Sequence, residues 1–458
     1  MNALIISAVW GVVMMFSSIL LKQKSTVRNL AIAGMVLLLV ANIFETNGTA
    51  FFNVDTHGMM YFDRFALIFN SIAILLSLLF LLLSAKDMEK VGINYAEYLA
   101  LIFFILCGIV LTSSFKSLLI LFLGIEIISI PLYILTGSDK LNLKSNEASL
   151  KYFLQGSFST GLMLMGIAFI YGDKGSFLTS VIAPLNGLPS ALLIAGMLLL
   201  LFSMAFKASV APFHFWTPDV YDGAPTVFTS FMATIVKAAV FVAFIRLFDE
   251  AFGNLHHKWK LTIALITVAT LFIGNITAVF QQSVKRMLAY SSISQAGFML
   301  LAIYSMNTDG KEGLLLYVLA YSLATIGLFA VLAKMSDYSY DGFNGLARQR
   351  PFLALLITIF VLSLSGIPLT AGFLSKFLML KATLAAGGSL WLVIVAVVMA
   401  VISISYYFRI LQAMYFKNPE KENIITVSPA FKWTLAVLAA LLILLGIFPN
   451  LVFGFYYF

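Results

Sequence analysis

The sequence predicts an all-α polytopic membrane protein of about 14 transmembrane helices, two of them discontinuous. Three observations carry that expectation: an overwhelmingly apolar composition, near-continuous runs of span length, and a weak internal repeat that puts proline and glycine inside two corresponding spans. Of the 458 residues, 61% are hydrophobic and 10% charged. An ordinary soluble domain carries about 25% charge. A chain so poor in polar side chains cannot cover itself against water, and lipid is the solvent that suits it.

Each span needs about 20 apolar residues. Apolar runs separated by polar breaks place the spans near 3–21, 29–45, 62–84, 95–113, 116–136, 149–171, 189–210, 224–247, 261–280, 287–305, 313–334, 352–381, 389–412 and 432–455. No soluble domain of useful size fits between them. The first run is followed by Lys22, Lys24 and Arg28 rather than by the small residues of a cleavage site, so a retained span is expected instead of a signal peptide. Loop Lys and Arg gather on the side of the first loop, about twice as many as on the opposite face. That bias predicts both termini outside, and it accounts for the net charge of +8 through topology rather than through nucleic-acid binding.

The repeat pairs EASLKYFLQGSFST, from Glu147 to Thr160, with EGLLLYVLAYSLAT, from Glu312 to Thr325; Glu, Leu, Tyr, Leu, Ser and Thr recur at equal spacing. Ser203–Phe213 likewise aligns with Ser363–Phe373. Pro212 falls in the first of these, and Gly366, Pro368 and Gly372 fall in the second, so both spans are expected to break. The sixth span pairs with the eleventh and the seventh with the twelfth. An odd offset turns the second copy upside down, the arrangement by which many transporters build an ion path at mid-membrane.

Several chemistries are excluded. Cys107 is the one cysteine, which rules out disulfides and thiolate-bound clusters within the chain. His57, His214, His256 and His257 form no facing pair for a haem, and there is no dinucleotide fingerprint or phosphate loop. Redox cofactors, if the protein serves any, belong to partners.

The informative residues are charges within spans. A lysine at a helix centre costs roughly 2.5–3.5 kcal/mol on insertion scales, yet Lys207, Lys237 and Lys376 fall in the seventh, eighth and twelfth spans. Desolvation favours neutral lysine and a nearby carboxylate favours charged lysine, so a changing environment can make the group take up and release a proton. Glu126, in the fifth span, is the carboxylate expected to pair with Lys207. The bland alternatives are lysines that snorkel or bind carbonyls in a static core, and a Glu126 that only neutralises. His214, just after the seventh-span break, is either a relay or a packing residue. Asp219 and Asp222 are expected in a short polar turn, as an access funnel or as helix caps. His256 and His257 are expected in a solvated loop.

The run from Phe206 to Thr226, FKASVAPFHFWTPDVYDGAPT, resembles the signature of the antiporter-like subunits of respiratory complex I, and its WTPDVY form resembles the N-subunit branch. GIPLTAGFLSK, ending at Lys376, and SVKRMLAYSSISQAG, from Ser283 to Gly297, extend the likeness over nearly the whole chain. The resemblance implies two inverted five-helix repeats, at 95–248 and 261–412, after a three-helix segment at 1–94 and before a cytoplasmic loop and helix at 413–458. It implies proton-path roles for Glu126, Lys207, Lys237 and Lys376; the lysine at the twelfth-span site is the N-type residue, where the M type has glutamate. The long lateral helix of the L type is not expected, since the sequence ends soon after the last span. It further implies a proton-translocating subunit of NADH:quinone oxidoreductase in a bacterial inner membrane, with both termini periplasmic and the M, K and J subunits as neighbours. No cofactor is expected in this chain; flavin and iron–sulfur clusters would sit in partner subunits, and quinone elsewhere in the complex. An Mrp-type cation/proton antiporter subunit is the rival assignment, and a scaffold with packed charges a third.

Overall fold

A computed structural model describes residues 1–183, 188–387, 389–418 and 427–457. Lys421 and Phe458, which enter the expectations for the C-terminal segment, lie outside the described residues. Among the described residues the chain is helical, with isolated bridges such as Met60 to Phe115 in place of strands. Among the described residues, twelve helical segments are long and apolar enough to cross a membrane. Large apolar side chains such as Ile19 and Leu20, each 76% exposed, would form a liability in water; in a bilayer they face their solvent.

The residues pack as two compact units. The first comprises Met1–Leu81, Met88–Ala208 and Ile235–Leu261, and the second comprises Leu82–Asp87, Ser209–Thr234 and Thr262–Phe458. In chain order the helices are α1 (Asn2–Leu20), α2 (Lys24–Thr46), α3 (Arg64–Met88), α4 (Tyr95–Ser114), α5 (Leu118–Thr136), α6 (Leu143–Lys174), the single turn α7 (Thr179–Ile182), α8 (Ala191–Lys207), α9 (Trp216–Gly223), α10 (Thr226–Phe231) and α11 (Lys237–Glu250). They continue as α12 (His256–Val279), α13 (Val284–Ser305), α14 (Thr308–Leu332), α15 (Leu346–Gln349), α16 (Pro351–Ser365), α17 (Ala371–Ala385), α18 (Leu390–Phe416), α19 (Pro429–Ile447) and α20 (Asn450–Tyr457).

Helix starts follow their caps. Ser117, Asn142, Ser190, Ser283, Asn307 and Ser428 each accept from a first-turn amide of α5, α6, α8, α13, α14 and α19, satisfying donors that a helix cannot satisfy itself. In the first unit, α6 and α8 approach through Gly166 and Gly196: a Cβ on Gly196 would lie 2.8 Å from the Gly166 carbonyl oxygen. Without a hydrophobic force between helices in lipid, such close backbone contact is what holds them.

The seventh run leaves the helix at Lys207, before Pro212. Ser209 takes a left-handed φ of 63°, which a residue with a side chain adopts at a penalty, and residues 208–215 are non-helical. The amide of Ala211, released from any helix, donates to the Thr270 hydroxyl at 3.0 Å within the second unit, as a buried amide must. The twelfth run divides into α16 and α17 at residues 366–370, where Gly366 (φ 82°) and Leu369 (φ 75°) are both left-handed. Two glycines permit this loop: a Cβ on Gly372 would fall 1.9 Å from the Ser363 carbonyl oxygen, and one on Gly446 of α19 would fall 2.6 Å from that of Leu369.

Three expectations are corrected, and one run carries an added feature. The Asp219–Asp222 segment is the helix α9, not a polar turn, because Arg286 and Lys285 satisfy its carboxylates and C-terminal carbonyls, as described below. His256 and His257 begin α12 rather than sit in a loop, with the His256 ring 4.6 Å from that of Trp259 one turn on. The eighth run, expected near 224–247, is one apolar segment, Thr226–Glu250, in which a π turn, Met232–Val236, lies between α10 and α11. The last run stops at Ile447 and resumes as α20, because Pro449 has no amide to donate and disfavours helical geometry at Phe448 (ψ 69°).

Candidate functional site

Helical spacing alone brings Glu126, Ser129 and Tyr133 to one face of α5, since residues three and four apart on a helix are neighbours. Lys207, the last residue of α8, reaches that face. Its Nζ donates to Ser129 Oγ at 2.9 Å and lies 3.5 Å from Tyr133 Oη. Glu126 Oε1 is 3.8 Å away, an ion pair but not a tight hydrogen bond. The Lys207 side chain is 5% exposed and that of Glu126 19%. From α6, the Thr160 hydroxyl reaches Glu126 Oε1 at 2.7 Å and the Gly156 carbonyl at 3.1 Å. Gly156 is small for a reason: a Cβ there would lie 2.2 Å from the Tyr133 hydroxyl. The expected Glu126–Lys207 pair is therefore present, within a cluster whose nearest member is a serine.

Lys237 opens α11 directly after the π turn and is buried, 2% exposed. A π turn displaces one residue from the regular ladder and is frequent where a helix serves a function.

Lys376 is on α17 in the second unit. Its ammonium donates back to the carbonyls of Leu364 at 2.8 Å and Ser365 at 3.4 Å, the last turn of α16, and stands 4.8 Å above the Phe298 ring. The end of a helix carries free carbonyls and partial negative charge, so a cation is stabilised there without a carboxylate. A cavity of about 10 Å³ adjoins Lys376, Gln295, Tyr317 and Ser375, room for about one water centre. His214 is buried in the same unit, with its ring stacked on that of Phe215 at 4.6 Å.

Residues 115–403 match the family described as NADH:quinone oxidoreductase/Mrp antiporter, TM. The NADH-quinone oxidoreductase subunit N of Cytophaga hutchinsonii is 39% identical over 98% of this chain and 98% of its own. This chain belongs to the subunit N family. A chain of respiratory complex I from Thermus thermophilus superposes with a TM-score of 0.85 at 32% identity, covering 98% of each chain. A chain of the Mrp complex from Dietzia sp. DQ12-45-1b gives a TM-score of 0.86 at 18% identity, covering 99% of this chain and 95% of that one; that likeness is one of fold.

For a member of the subunit N family, the structure adds residues that sequence reading passed over. Ser129, Tyr133 and Thr160 complete the Lys207 cluster, and their helical offsets from Glu126 and membership of the repeat were the available signals. In the second unit, Arg286 reaches Asp219 at 3.2 Å and Asp222 at 3.9 Å. Lys285 caps the end of α9 by donating to the carbonyls of Asp222 at 2.8 Å and Ala224 at 2.7 Å. In the first unit, the Arg246 side chain is 2% exposed and binds Asp63 and Glu250, each at 3.1 Å. It also donates to the carbonyls of Ser113 and Phe115 at 2.8 and 3.1 Å, so one guanidinium ties three segments. Lys116 adds a second cation 2.9 Å from Glu250. Among the described residues no group of three or more His, Cys, Asp or Glu is arranged to hold a metal ion.

Proposed function

We propose that this chain is a proton-translocating membrane-arm subunit of NADH:quinone oxidoreductase, complex I, in which Glu126, Lys207, Lys237 and Lys376 carry the proton path. The observation that carries the reading is Lys207, a buried ammonium at a helix end with one carboxylate 3.8 Å away. Hydroxyl partners at 2.9 and 3.5 Å accommodate it as well. A carboxylate at that distance favours the charged lysine, and burial without it favours the neutral one. Moving Glu126 away would then discharge Lys207, and moving it back would recharge it. His214, beside the break that follows α8, is the relay in this reading.

Two short apolar helices, Ala191–Lys207 and Pro351–Ser365, each followed by a non-helical stretch and another short helix, support two discontinuous spans beside the twelve long ones. The repeat motif supports inverted five-helix units at 95–248 and 261–412, with 1–94 and 413–458 flanking them. The chain would sit in a bacterial inner membrane with both termini periplasmic, beside the M, K and J subunits. Flavin and iron–sulfur clusters would belong to partner chains, and quinone would bind elsewhere in the complex. The Mrp-type antiporter reading draws on fold likeness at 18% identity; full-length relatedness to a subunit N at 39% favours complex I.

The test is NADH-driven proton gradients in inverted membrane vesicles carrying Lys207→Ala or Lys376→Ala, normalised to assembled complex. A clear loss of gradient at unchanged assembly is expected. Wild-type gradients in both variants refute the assignment. Purification without flavin or iron–sulfur partners, with cation-dependent proton exchange, would establish the antiporter reading instead.

A further inference from the structure

We infer that Gln295 is a positioning residue for Lys376, holding the Leu364 carbonyl on which that lysine rests. This builds on the proposed proton-path role of Lys376.

Within α16 the Leu364 carbonyl would receive the amide four residues on, but that residue is Pro368, which has none. The acceptor is thus left free by sequence, inside a packed unit where it must find donors. It finds two: Lys376 Nζ at 2.8 Å and Gln295 Nε2 at 3.1 Å. A carbonyl has two lone pairs, so Gln295 and Lys376 together fill it.

The orientation of the Gln295 amide follows from its partners. Leu364 offers only an acceptor, so the nearer amide atom is the nitrogen; that nitrogen's second hydrogen goes to Tyr407 Oη at 3.0 Å. The amide oxygen accepts from the Tyr317 hydroxyl, and Tyr407 is bonded in turn to Ser291. Gln295 is 2% exposed, and this side chain is held from α13, α14, α16 and α18 at once. It also borders the water-sized cavity beside Lys376.

The first unit offers the parallel. There Glu126 of α5 accepts from Thr160 of α6 and faces Lys207; here Gln295 of α13 accepts from Tyr317 of α14 and faces the acceptor of Lys376. Thr160 and Tyr317 lie in the two copies of the repeat, at different positions within it. The two lysines thus differ in kind: one is steadied by a carboxylate, the other by a carbonyl that an uncharged amide holds in place.

The experiment measures NADH-driven proton gradients in vesicles across a pH series, normalised to assembled complex, for Gln295→Leu, Gln295→Glu and Lys376→Ala. Gln295→Leu is expected to lower transport about fivefold, the worth of one ordinary hydrogen bond, and to change its pH profile. Gln295→Glu keeps the size and polarity of the side chain but, ionised, has no hydrogen for the Leu364 carbonyl, so it too releases that acceptor while filling the space that leucine would fill differently. It sets a carboxylate within about 6 Å of the ammonium, which favours the charged lysine, and the profile should move to higher pH. A purely structural role would lower assembly and leave the profile of the assembled complex alone. Wild-type rate and profile in both Gln295 variants, with transport lost in Lys376→Ala, overturn this inference alone. Transport retained in Lys376→Ala overturns the role of the lysine itself, and the inference with it.

Discussion

Replacing Glu126 with glutamine isolates charge from shape. The amide oxygen can still accept from Thr160, now at 2.7 Å, and Lys207 keeps Ser129 at 2.9 Å, so packing should persist. What disappears is a negative charge 3.8 Å from the ammonium. At an effective dielectric constant of about 20 that attraction is about 4 kcal/mol. The carboxylate is 19% exposed, and solvent screening leaves roughly half, about 2 kcal/mol, or about 30-fold in the balance between charged and neutral lysine. NADH-driven proton transport per assembled complex in Glu126→Gln should therefore fall by about one order of magnitude or more. Thr160→Val provides the graded control. It removes a hydrogen bond to the carboxylate worth about 1 kcal/mol and spares the charge, so a loss of about fivefold is expected. Vesicle acidification and NADH oxidation, measured on the same preparations and normalised to complex content, give the comparison. Wild-type transport in Glu126→Gln refutes the reasoning, and a Thr160→Val loss equal to or larger than that of Glu126→Gln shows that charge is not the operative term.

Three further outcomes follow from the geometry. Arg246→Ala should destabilise the first unit by about 3 kcal/mol, because Asp63 and Glu250 lose a buried partner; the amount of assembled complex and its thermal midpoint should drop, and wild-type values of both would refute this. Gly372→Ala places a Cβ 1.9 Å from the Ser363 carbonyl and should cost about 1–3 kcal/mol by overpacking, read as reduced yield and early thermal unfolding; unchanged stability would show that the α16–α17 junction yields freely. Gly156→Ala should displace the Tyr133 hydroxyl, 2.2 Å from the new Cβ, and lower transport more than assembly; the opposite ranking would make Tyr133 a packing residue.

The membrane character, the positions of the long helices and the four ionisable residues of the proposed path were legible before any coordinates. Each is a local property. A run of about 20 apolar residues fixes a span, a charge within it stands out against its neighbours, and proline or glycine in mid-run marks a weak point. The repeat was legible because Glu147–Thr160 and Glu312–Thr325 share spacing, which needs no knowledge of what they touch. Local signals were misread where a distant partner outweighed them: polar Asp219 and Asp222 look like a turn until Arg286 and Lys285 arrive, more than 60 residues later, to hold them in α9.

By itself, then, the sequence determined that this chain is a polytopic membrane protein and that Lys207, Lys237, Lys376 and Glu126 fall within its apolar runs. Only the tertiary structure decided what two of these charges rest upon: Ser129 and Glu126 beside Lys207, and the Leu364 and Ser365 carbonyls beside Lys376. The reason is that insertion energy depends on the residue and its depth, whereas the partner of a buried charge depends on which helices meet. That meeting is set by backbone approaches at glycines such as Gly166, Gly196 and Gly372, whose consequences appear only once the helices are packed.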